Sequence, residues 1–224
     1  MVAATVLLAG CGAKRSPSAS APPPPPASST SSANISVPKD AKPIYVETGM
    51  ASWYGGPYHN RRAADGSVYD MHAATAAHRT LPLNTVVRVT NLETRRSTLV
   101  RITDRGPFVE RRIIDLSMAA AKEVDVYRAG IAPVKVEVLQ TPSPLFKGGR
   151  WAVQIGAFDD ADGARNLKDK LTRRYPDTRV LAFVSPVGKW WVRVRVPDDD
   201  RKQAQEIAHN TQPSQGQTFL VRLD

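Results

Sequence analysis

Cysteine, long hydrophobic runs and metal-binding patterns are scarce or absent in this sequence, and each absence excludes a class of protein. The single cysteine, Cys11, excludes an intramolecular disulfide. No stretch approaches the ~18 consecutive apolar residues of a transmembrane helix, so we expect no membrane-spanning segment. His59, His72 and His78 lack helical spacing and paired carboxylates at ligand intervals, and we therefore expect no metal and no cofactor.

The start of the chain is an apolar segment that ends in Leu8-Ala9-Gly10-Cys11. Small residues followed by a cysteine are the pattern that the signal peptidase of bacterial lipoproteins cleaves. We therefore expect residues 1–10 to be a signal peptide and Cys11 to carry the lipid, whose acyl chains exceed the two-signal requirement for stable anchoring. Gly12, which is not acidic, favours the outer membrane. The alternative is an apolar terminus with an unmodified cysteine.

Composition divides the rest of the chain into a tether and two domains. Residues 11–43 contain the runs Pro22–Pro26 and Ser28–Ser32, which cannot bury enough apolar surface to fold, so we expect a disordered spacer. A second break, rich in proline and glycine, spans residues 141–149. The segments 44–140 and 150–224 each have the size of an ordinary domain.

Positive charge exceeds negative charge, with a net charge of +10, but no segment concentrates it. The excess is three in each of residues 1–43, 44–140 and 150–224. A nucleic-acid-binding domain usually carries a basic stripe, so we expect no nucleic-acid partner. A mild positive field of this kind suits polyanions such as cell-wall polymers or anionic lipid surfaces.

The first domain is predicted to consist mainly of short strands. Apolar and polar residues alternate along Val86–Asn91, Leu99–Asp104 and Val134–Val138, between turns that contain glycine, proline and asparagine. This period-two pattern indicates a small β-barrel or a sandwich. One helix is predicted over Ser117–Val126, with Ser117 as its N-cap.

The second domain is predicted to have the order strand, helix, strand, strand, helix, strand. The expected strands cover 151–158, 179–184, 189–196 and 218–223, and the expected helices cover 162–174 and 199–209. This order gives a split β-α-β arrangement, like that of RNP-type RNA-binding domains, with both helices on one face of the sheet.

The strand over 189–196 predicts a binding face on the second domain. Its apolar residues alternate with a second set, and because the apolar set must face the helices, the second set lies on the open side. That set is Trp191, Arg193 and Arg195, joined by Gln154 of the first strand. An exposed tryptophan beside arginines and an amide favours a shallow binding platform. The alternatives are a platform for single-stranded RNA and a solvated face without a ligand.

Several motifs of the first domain resemble the rare lipoprotein A family. The resemblance implies a double-psi β-barrel that acts as a septal lytic transglycosylase on bacterial peptidoglycan. Such an enzyme breaks the bond between N-acetylmuramic acid and N-acetylglucosamine without water and leaves a 1,6-anhydro ring. The motifs occur in the family's order over residues 47–140, at Ala51–Gly55, Thr75–His78, Leu81-Pro82, Val89–Leu92, Asp104–Phe108 and Ile114–Ser117.

Carried onto this sequence, the resemblance assigns catalytic roles to Asp104 and His78. Asp104 would act as both acid and base, because no water needs separate activation. His78 would hydrogen-bond Asp104 or the sugar. The alternatives without chemistry are an aspartate that caps a turn and a histidine that packs before one.

One position departs from the family pattern. Ser67 stands where the family has a glutamate with an assigned catalytic role. A serine cannot act as an acid near neutral pH. Either Asp104 alone supports cleavage, or the barrel has become a glycan-binding module. Further candidates for substrate contact are Ser67 itself, one of the adjacent pair Trp53 and Tyr54, whose side chains face opposite ways, and the charged residues Asp65, Asp70 and Arg105.

The second domain resembles a SPOR domain at Val153–Phe158 and Trp191–Val194. Such modules recognise peptidoglycan strands stripped of their stem peptides, found mainly at division septa. The resemblance implies that the face with Gln154, Trp191, Arg193 and Arg195 contacts glycan. An RNA partner would contradict export through Cys11.

The sequence as a whole predicts a lipid-anchored envelope protein, facing the periplasm, that is mainly β with an α+β second domain. A double-psi β-barrel would cut naked glycan, and a SPOR domain would concentrate it on septal substrate. Two alternatives stay open: a non-catalytic septal scaffold or glycan-binding lipoprotein, supported by Ser67, and an expansin-like barrel that loosens the wall without cutting bonds. Septal division proteins are candidate protein partners.

Overall fold

The structure is a computed structural model that describes residues 35–224 except Lys39. The expected signal peptide, the lipidation site Cys11 and most of the tether lie outside the described residues. Within the described part of the chain, no helix is both long and apolar enough to cross a membrane.

The first domain is a closed barrel of six strands that combines parallel and antiparallel pairs. Around the barrel the strands follow the order β1-β5-β2-β4-β3-β6, and the pairs β1–β5 and β2–β4 are parallel. The barrel confirms one of the two all-β folds that the alternation allowed. The strands are β1 (Tyr45–Tyr54), β2 (Thr75–His78), β3 (Val86–Asn91), β4 (Ser97–Asp104), β5 (Arg112–Ser117) and β6 (Ala132–Gln140).

Two short helices follow β5, where the sequence predicted one. They are α1 (Met118–Glu123) and α2 (Val126–Ala129). Ser117 caps α1 as expected, since its Oγ accepts a hydrogen bond of 3.2 Å from the backbone N–H of Ala120. The prediction of one helix as far as Val126 is wrong, because Asp125 adopts a left-handed backbone conformation with φ of 59°.

The second domain is a four-stranded antiparallel sheet in the order β10-β7-β9-β8, with two helices on one face. The predicted order of elements is confirmed. The second helix begins at Arg201, two residues later than predicted, because Asp200 caps it by accepting from backbone N–H groups of its first turn. The elements are β7 (Trp151–Phe158), α3 (Ala161–Arg174), β8 (Arg179–Val184), β9 (Trp190–Arg195), α4 (Arg201–Asn210) and β10 (Gln217–Arg222).

Apolar side chains from the sheet and the two helices form the core of the second domain. Val153, Val192 and Val194 of the sheet pack with Leu171 of α3 and Ile207 of α4. The alternation predicted along the strand at 189–196 is therefore correct for its apolar set. No helix among the described residues packs on the other face of the sheet.

The helix-free face of the sheet turns toward the barrel. The backbone N–H of Leu83 donates to the carbonyl of Asp224 at 3.0 Å and so joins the barrel to the end of the sheet. The ring of Phe108 lies against those of Trp191 and Phe219, with centroid distances of 5.4 and 5.9 Å. The expectation of an open platform is therefore wrong, because this face is one wall of a groove between the two domains.

Candidate functional site

A groove of about 660 Å³ separates the barrel from the helix-free face of the sheet. Its barrel wall comes from β1, β2, β4 and β5, and its sheet wall comes from β7, β8 and β9. A groove of this size can hold a small organic ligand or a short part of a polymer chain. Asp104 lies on the first wall and the set predicted on the second domain lies on the other, so the structure brings the two groups together.

Asp104 is the last residue of β4, and it lines the groove. Its Oδ1 accepts hydrogen bonds from the backbone N–H groups of Arg105 at 2.8 Å and Ala64 at 3.1 Å. Burial raises the pKa of Asp104 above its ordinary value, although these two bonds lower it. The net direction favours a protonated carboxyl, which a general acid requires.

The guanidinium of Arg105 ties the two domains together. Its Nη1 donates to the carbonyls of His78 and Leu81 at 2.9 and 2.7 Å, and its Nη2 donates to that of Asp224. Burial lowers the pKa of Arg105 to about 10, so this side chain stays charged at neutral pH. Arg105 therefore joins the two domains. Its charge lowers the pKa of Asp104 less than burial raises it.

His78 is a buried residue whose ring supports a turn. His78 is only 3% exposed. Its Nδ1 accepts hydrogen bonds from the backbone N–H groups of Thr80 and Leu81 at 3.2 and 3.0 Å. With Nδ1 as an acceptor, Nε2 donates to Glu47 at 3.3 Å. Burial lowers the pKa of His78, which keeps the ring neutral. The expected hydrogen bond to Asp104 is therefore corrected, since both ring nitrogens have other partners.

Asp115 is a second groove carboxyl that sequence reasoning missed. Ala77 of β2 pairs with Asp104 on one side and with Asp115 on the other, so both aspartates share one face of the barrel. Two strand spacings separate their Cα atoms by about 10 Å. Asp115 accepts from Ser52 Oγ at 2.7 Å and pairs with Arg112 at 3.2 Å, while burial raises its pKa. An acid between the apolar residues Ile114 and Leu116 was the available signal.

Of the two adjacent aromatics in β1, only Tyr54 lines the groove. Its ring stacks on Tyr69 with centroids 4.3 Å apart, and its hydroxyl is buried without a partner among the described residues. Trp53 packs against the barrel core and against the ring of Tyr127, at 4.7 Å. The geometry agrees with the expectation that the two side chains face different surroundings. Tyr58 also lines the groove and was not predicted.

The loop that carries the changed family position closes on itself. Asp65 Oδ1 accepts from the backbone N–H and the Oγ of Ser67 at 2.9 and 2.6 Å. The backbone N–H of Asp65 donates to the carbonyl of Thr103 at 3.0 Å, which places the loop beside Asp104. Asp70 is exposed and caps a local turn. Among the described residues, the groove lining includes none of the side chains of Asp65, Ser67 and Asp70.

The sheet wall contains the predicted set and one unpredicted aromatic. Arg193 donates from Nε and Nη2 to Oε1 of Gln154 at 3.1 and 2.5 Å. Its guanidinium lies over the ring of Phe183, 5.0 Å from the centroid. Gln154 is only 3% exposed, and its Oε1 holds Arg193 in place through these two hydrogen bonds. Trp191 and Arg195 are partly exposed in the groove. Phe183 was missed because the strand at 179–184 was not sorted into its two faces.

Within residues 35–224, Lys39 aside, no three His, Cys, Asp or Glu side chains lie close enough together to hold a metal ion. His59 and His72 lie near each other, with ring centroids 5.9 Å apart, and Nδ1 of His59 is 3.9 Å from Asp70. His78 belongs to the buried turn described above.

Family models match both domains. The model described as "Lytic transglycolase" matches residues 46–136, which cover the barrel, and the model described as "SPOR domain" matches residues 147–222. The two matched ranges leave the first 45 residues outside either model. Both walls of the groove therefore belong to regions with recognised relatives.

Curated relatives share the two-domain region to different extents. A protein of Campylobacter jejuni, named "Endolytic peptidoglycan transglycosylase RlpA", is 36% identical over 191 residues, which cover 74% of this chain and 70% of that protein. Relatives of the same name from Helicobacter pylori strain 26695 and Vibrio cholerae are 42% and 49% identical over 164 and 134 residues. Those matches cover 60% and 57% of this chain, and the chain spans about half the length of these two relatives.

Proposed function

The chain belongs to the RlpA family, and on that premise we propose that it is a peptidoglycan lytic transglycosylase with Asp104 as its acid and base. The observation that carries this proposal is a partly buried carboxyl with a raised pKa, at the wall of a groove that two glycan-related domains share. No metal or cofactor takes part in the proposed reaction, since one carboxyl can serve both proton transfers.

The proposed reaction uses one carboxyl twice, first as an acid and then as a base. The protonated carboxyl of Asp104 gives its proton to the glycosidic oxygen, and the bond from that oxygen to C1 of the muramic residue breaks. The 6-hydroxyl of the same residue then bonds to C1, and its proton passes to the Asp104 carboxylate. The burial that raises the pKa of Asp104 favours the first step, and the two backbone N–H groups stabilise the carboxylate between the steps.

Asp115 is proposed to stabilise the positive charge that develops at C1. Cleavage passes through an oxocarbenium-like transition state, which a second carboxyl in the groove stabilises. Asp115 shares a face with Asp104 and lies two strand spacings away, on the far side of Ala77. Burial raises the pKa of Asp115, while the hydrogen bond from Ser52 and the ion pair with Arg112 oppose this shift and stabilise the ionised form that the role requires. This role would offset the absence of a carboxyl at Ser67.

The proposed substrate is glycan without stem peptides, and the proposed location is the septal part of the envelope. The match of residues 147–222 to the SPOR model and the aromatic and cationic side chains of the sheet wall support glycan binding. Attachment through lipid on Cys11, at the outer membrane, rests on the sequence pattern. Labelled palmitate should enter wild-type protein and not the Cys11→Ser variant, and label in neither would contradict the anchor.

The direct test is incubation of purified protein with glycan strands freed of stem peptides, followed by mass spectrometry. We expect products with 1,6-anhydro-muramic ends from wild-type protein, and none from Asp104→Asn. Asp162→Asn is a matched control, because its side chain is 84% exposed on α3. No product from wild type above the Asp104→Asn background would refute the enzyme.

A non-catalytic glycan-binding or scaffold lipoprotein is the second candidate. It is favoured by Ser67, whose hydroxyl is bound to Asp65 beside the groove and offers no acid. This candidate predicts that wild-type protein sediments with stripped glycan and releases no anhydro ends from it. Weakened cell walls without released fragments would instead support the expansin-like alternative.

A further inference from the structure

Basic residues from both domains converge on the groove, although the charge is spread evenly along the sequence. Eight arginines and lysines line the groove, against two aspartates, Asp104 and Asp115. The barrel contributes Arg61 and Arg62 from the loop before β2, and the sheet contributes Arg193 and Arg195 from β9. The tertiary arrangement thus creates a strongly positive groove that no single segment of the chain carries.

Some of these cations form ion pairs, whereas Arg193 and Arg195 of β9 form none with a described carboxylate. Arg112 pairs with Asp115, and Lys189 pairs with Asp159. Arg193 donates only to the neutral amide of Gln154 among the described residues. No ion pair joins Arg193 or Arg195 to any carboxylate in the part of the chain that the structure describes.

Arg193 is a partly buried cation held in a fixed orientation. Gln154 fixes two of its N–H donors, and the ring of Phe183 covers one face of the guanidinium. Burial and the neighbouring charge of Arg195 both lower the pKa of Arg193. A partly buried cation that forms no ion pair among the described residues carries a desolvation cost, which an anionic ligand at this point would offset. The remaining donors of a guanidinium suit a carboxylate well.

We propose that the groove is one composite site, in which Arg193 and Arg195 bind the lactyl carboxylate of the muramic residue whose C1 faces Asp104. The inference deepens the proposed function and rests on it. In a strand without stem peptides this carboxyl is free and charged, whereas attachment of a peptide converts it to a neutral amide. The groove therefore selects stripped strands by charge, and the second domain forms part of the reacting site.

The opposite placement of acid and arginines fits this substrate. The lactyl group is attached at O3 of the same ring whose C1 bond is broken. A ring that spans the groove can therefore present its carboxylate to β9 and its glycosidic oxygen to Asp104. Asp104 is near enough to Arg193 for its charge to raise the pKa of that arginine, which agrees with side chains that face each other across a narrow space.

The test compares two forms of one glycan. Strands without stem peptides are used with free carboxylates, or with those carboxylates converted to methylamides by carbodiimide coupling. Binding to the full chain is measured by titration calorimetry, with Asp104→Asn in every sample so that no strand is cut. We expect the free-carboxylate strand to bind about tenfold more tightly, and we expect this preference to weaken with added salt.

Arginine variants locate the effect. Adding Arg193→Gln should weaken binding of the free-carboxylate strand about tenfold and leave the amidated strand unchanged. Arg195→Gln should act in the same direction, and it removes no hydrogen bond between described side chains. Arg165→Gln is the matched control, because Arg165 lies exposed on α3 and its one ion pair among the described residues is with Asp162. Melting temperatures of all variants check the fold.

Three outcomes would overturn the inference. They are equal affinity for the two strands, an equal loss on both strands in Arg193→Gln, and binding of a single-stranded DNA oligonucleotide as tight as that of the free-carboxylate strand. Selective binding of the free-carboxylate strand, with no anhydro product from wild-type protein, would refute the proposed activity and support the carboxylate-binding site. Anhydro product from wild-type protein, with equal binding of the two strands, would support the activity and refute the carboxylate-binding site.

Discussion

At the scale of single residues, the account depends on how burial sets the charge of Asp104. Desolvation raises the pKa of this carboxyl, while two backbone N–H groups oppose the shift. A carboxyl that must be protonated to begin the reaction loses activity as the pH rises through its pKa. The Asp104 carboxyl and the two N–H groups that bind it therefore determine how the cleavage rate responds to pH and to substitution.

The cleavage rate is expected to fall with increasing pH above the raised pKa of Asp104. Ala64 offers a way to move this limit, because its N–H stabilises the carboxylate. Ala64→Pro removes that donor and should shift the falling limb of the pH–rate profile to higher pH. Initial rates of anhydro-end formation between pH 4 and 8 check this. A profile with no falling limb, or an unmoved limb in a folded variant, would contradict the assignment.

Asp115→Asn should lower the cleavage rate by roughly ten- to a hundredfold, because the neutral amide cannot stabilise the charge at C1. Its hydrogen bond from Ser52 can persist, so binding of stripped glycan should change little. Rates and affinities measured on the same preparation separate the two effects. Unchanged rates in Asp115→Asn would limit Asp115 to a structural ion pair with Arg112.

Sequence reasoning found Asp104 and missed Asp115 for a physical reason. Asp104 ends a strand before a turn, where polar side chains often reach a site. Asp115 lies between two buried branched residues, where period-two alternation alone predicts a solvent-facing side chain. Only the pairing of both aspartates with Ala77 shows that they share the groove.

At the scale of elements, the turn after β2 links barrel and sheet. His78 accepts the N–H groups of Thr80 and Leu81, and the carbonyls of His78 and Leu81 accept from Arg105. The histidine therefore positions the main chain that anchors Arg105. A change of this ring should act first on stability.

His78→Ala is expected to lower the free energy of unfolding by about 2–3 kcal/mol, because it leaves a buried cavity and removes acceptors for two backbone donors. Chemical denaturation monitored by circular dichroism measures the change. His209→Ala, at an exposed site in the last turn of α4, is the control and should change little. Full stability of His78→Ala with abolished cleavage would instead indicate direct catalysis by His78.

The bounds of strands and helices were predicted from the sequence where a local residue pattern or a capping side chain sets them. The strands predicted over 151–158 and 179–184 are observed as β7 and β8 with the same bounds, and Ser117 predicted the start of α1. The break after α1 was missed, because aspartate only occasionally adopts the left-handed conformation seen at Asp125. Backbone conformation at one residue is a weak signal in a sequence.

At the scale of the whole molecule, the arrangement of the two domains makes the site. The even distribution of charge along the chain hid the positive groove, because its basic residues lie far apart in sequence and meet only after folding. For the same reason, sequence reasoning treated the sheet face as open. Which surfaces meet depends on contacts such as Phe108 against Trp191, which no local pattern predicts.

Phe108→Ala should loosen the two domains. The ring packs on Trp191 and Phe219, and its loss is expected to remove about 1–3 kcal/mol of stabilisation between the domains. Differential scanning calorimetry should then show wider separation of the unfolding of barrel and sheet. Phe146→Ala is the control, since this ring is 62% exposed. An unchanged thermogram in Phe108→Ala would contradict the coupling.

The central claim, that Asp104 cuts glycan in the groove between the domains, is tested most directly by one product analysis. Stripped glycan strands are incubated with wild-type protein and with Asp104→Asn at matched concentrations, and the ends are analysed by mass spectrometry. We expect 1,6-anhydro-muramic ends from wild-type protein and background levels from Asp104→Asn. Equal product from the two proteins, or hydrolysed reducing ends in place of anhydro ends, would contradict it.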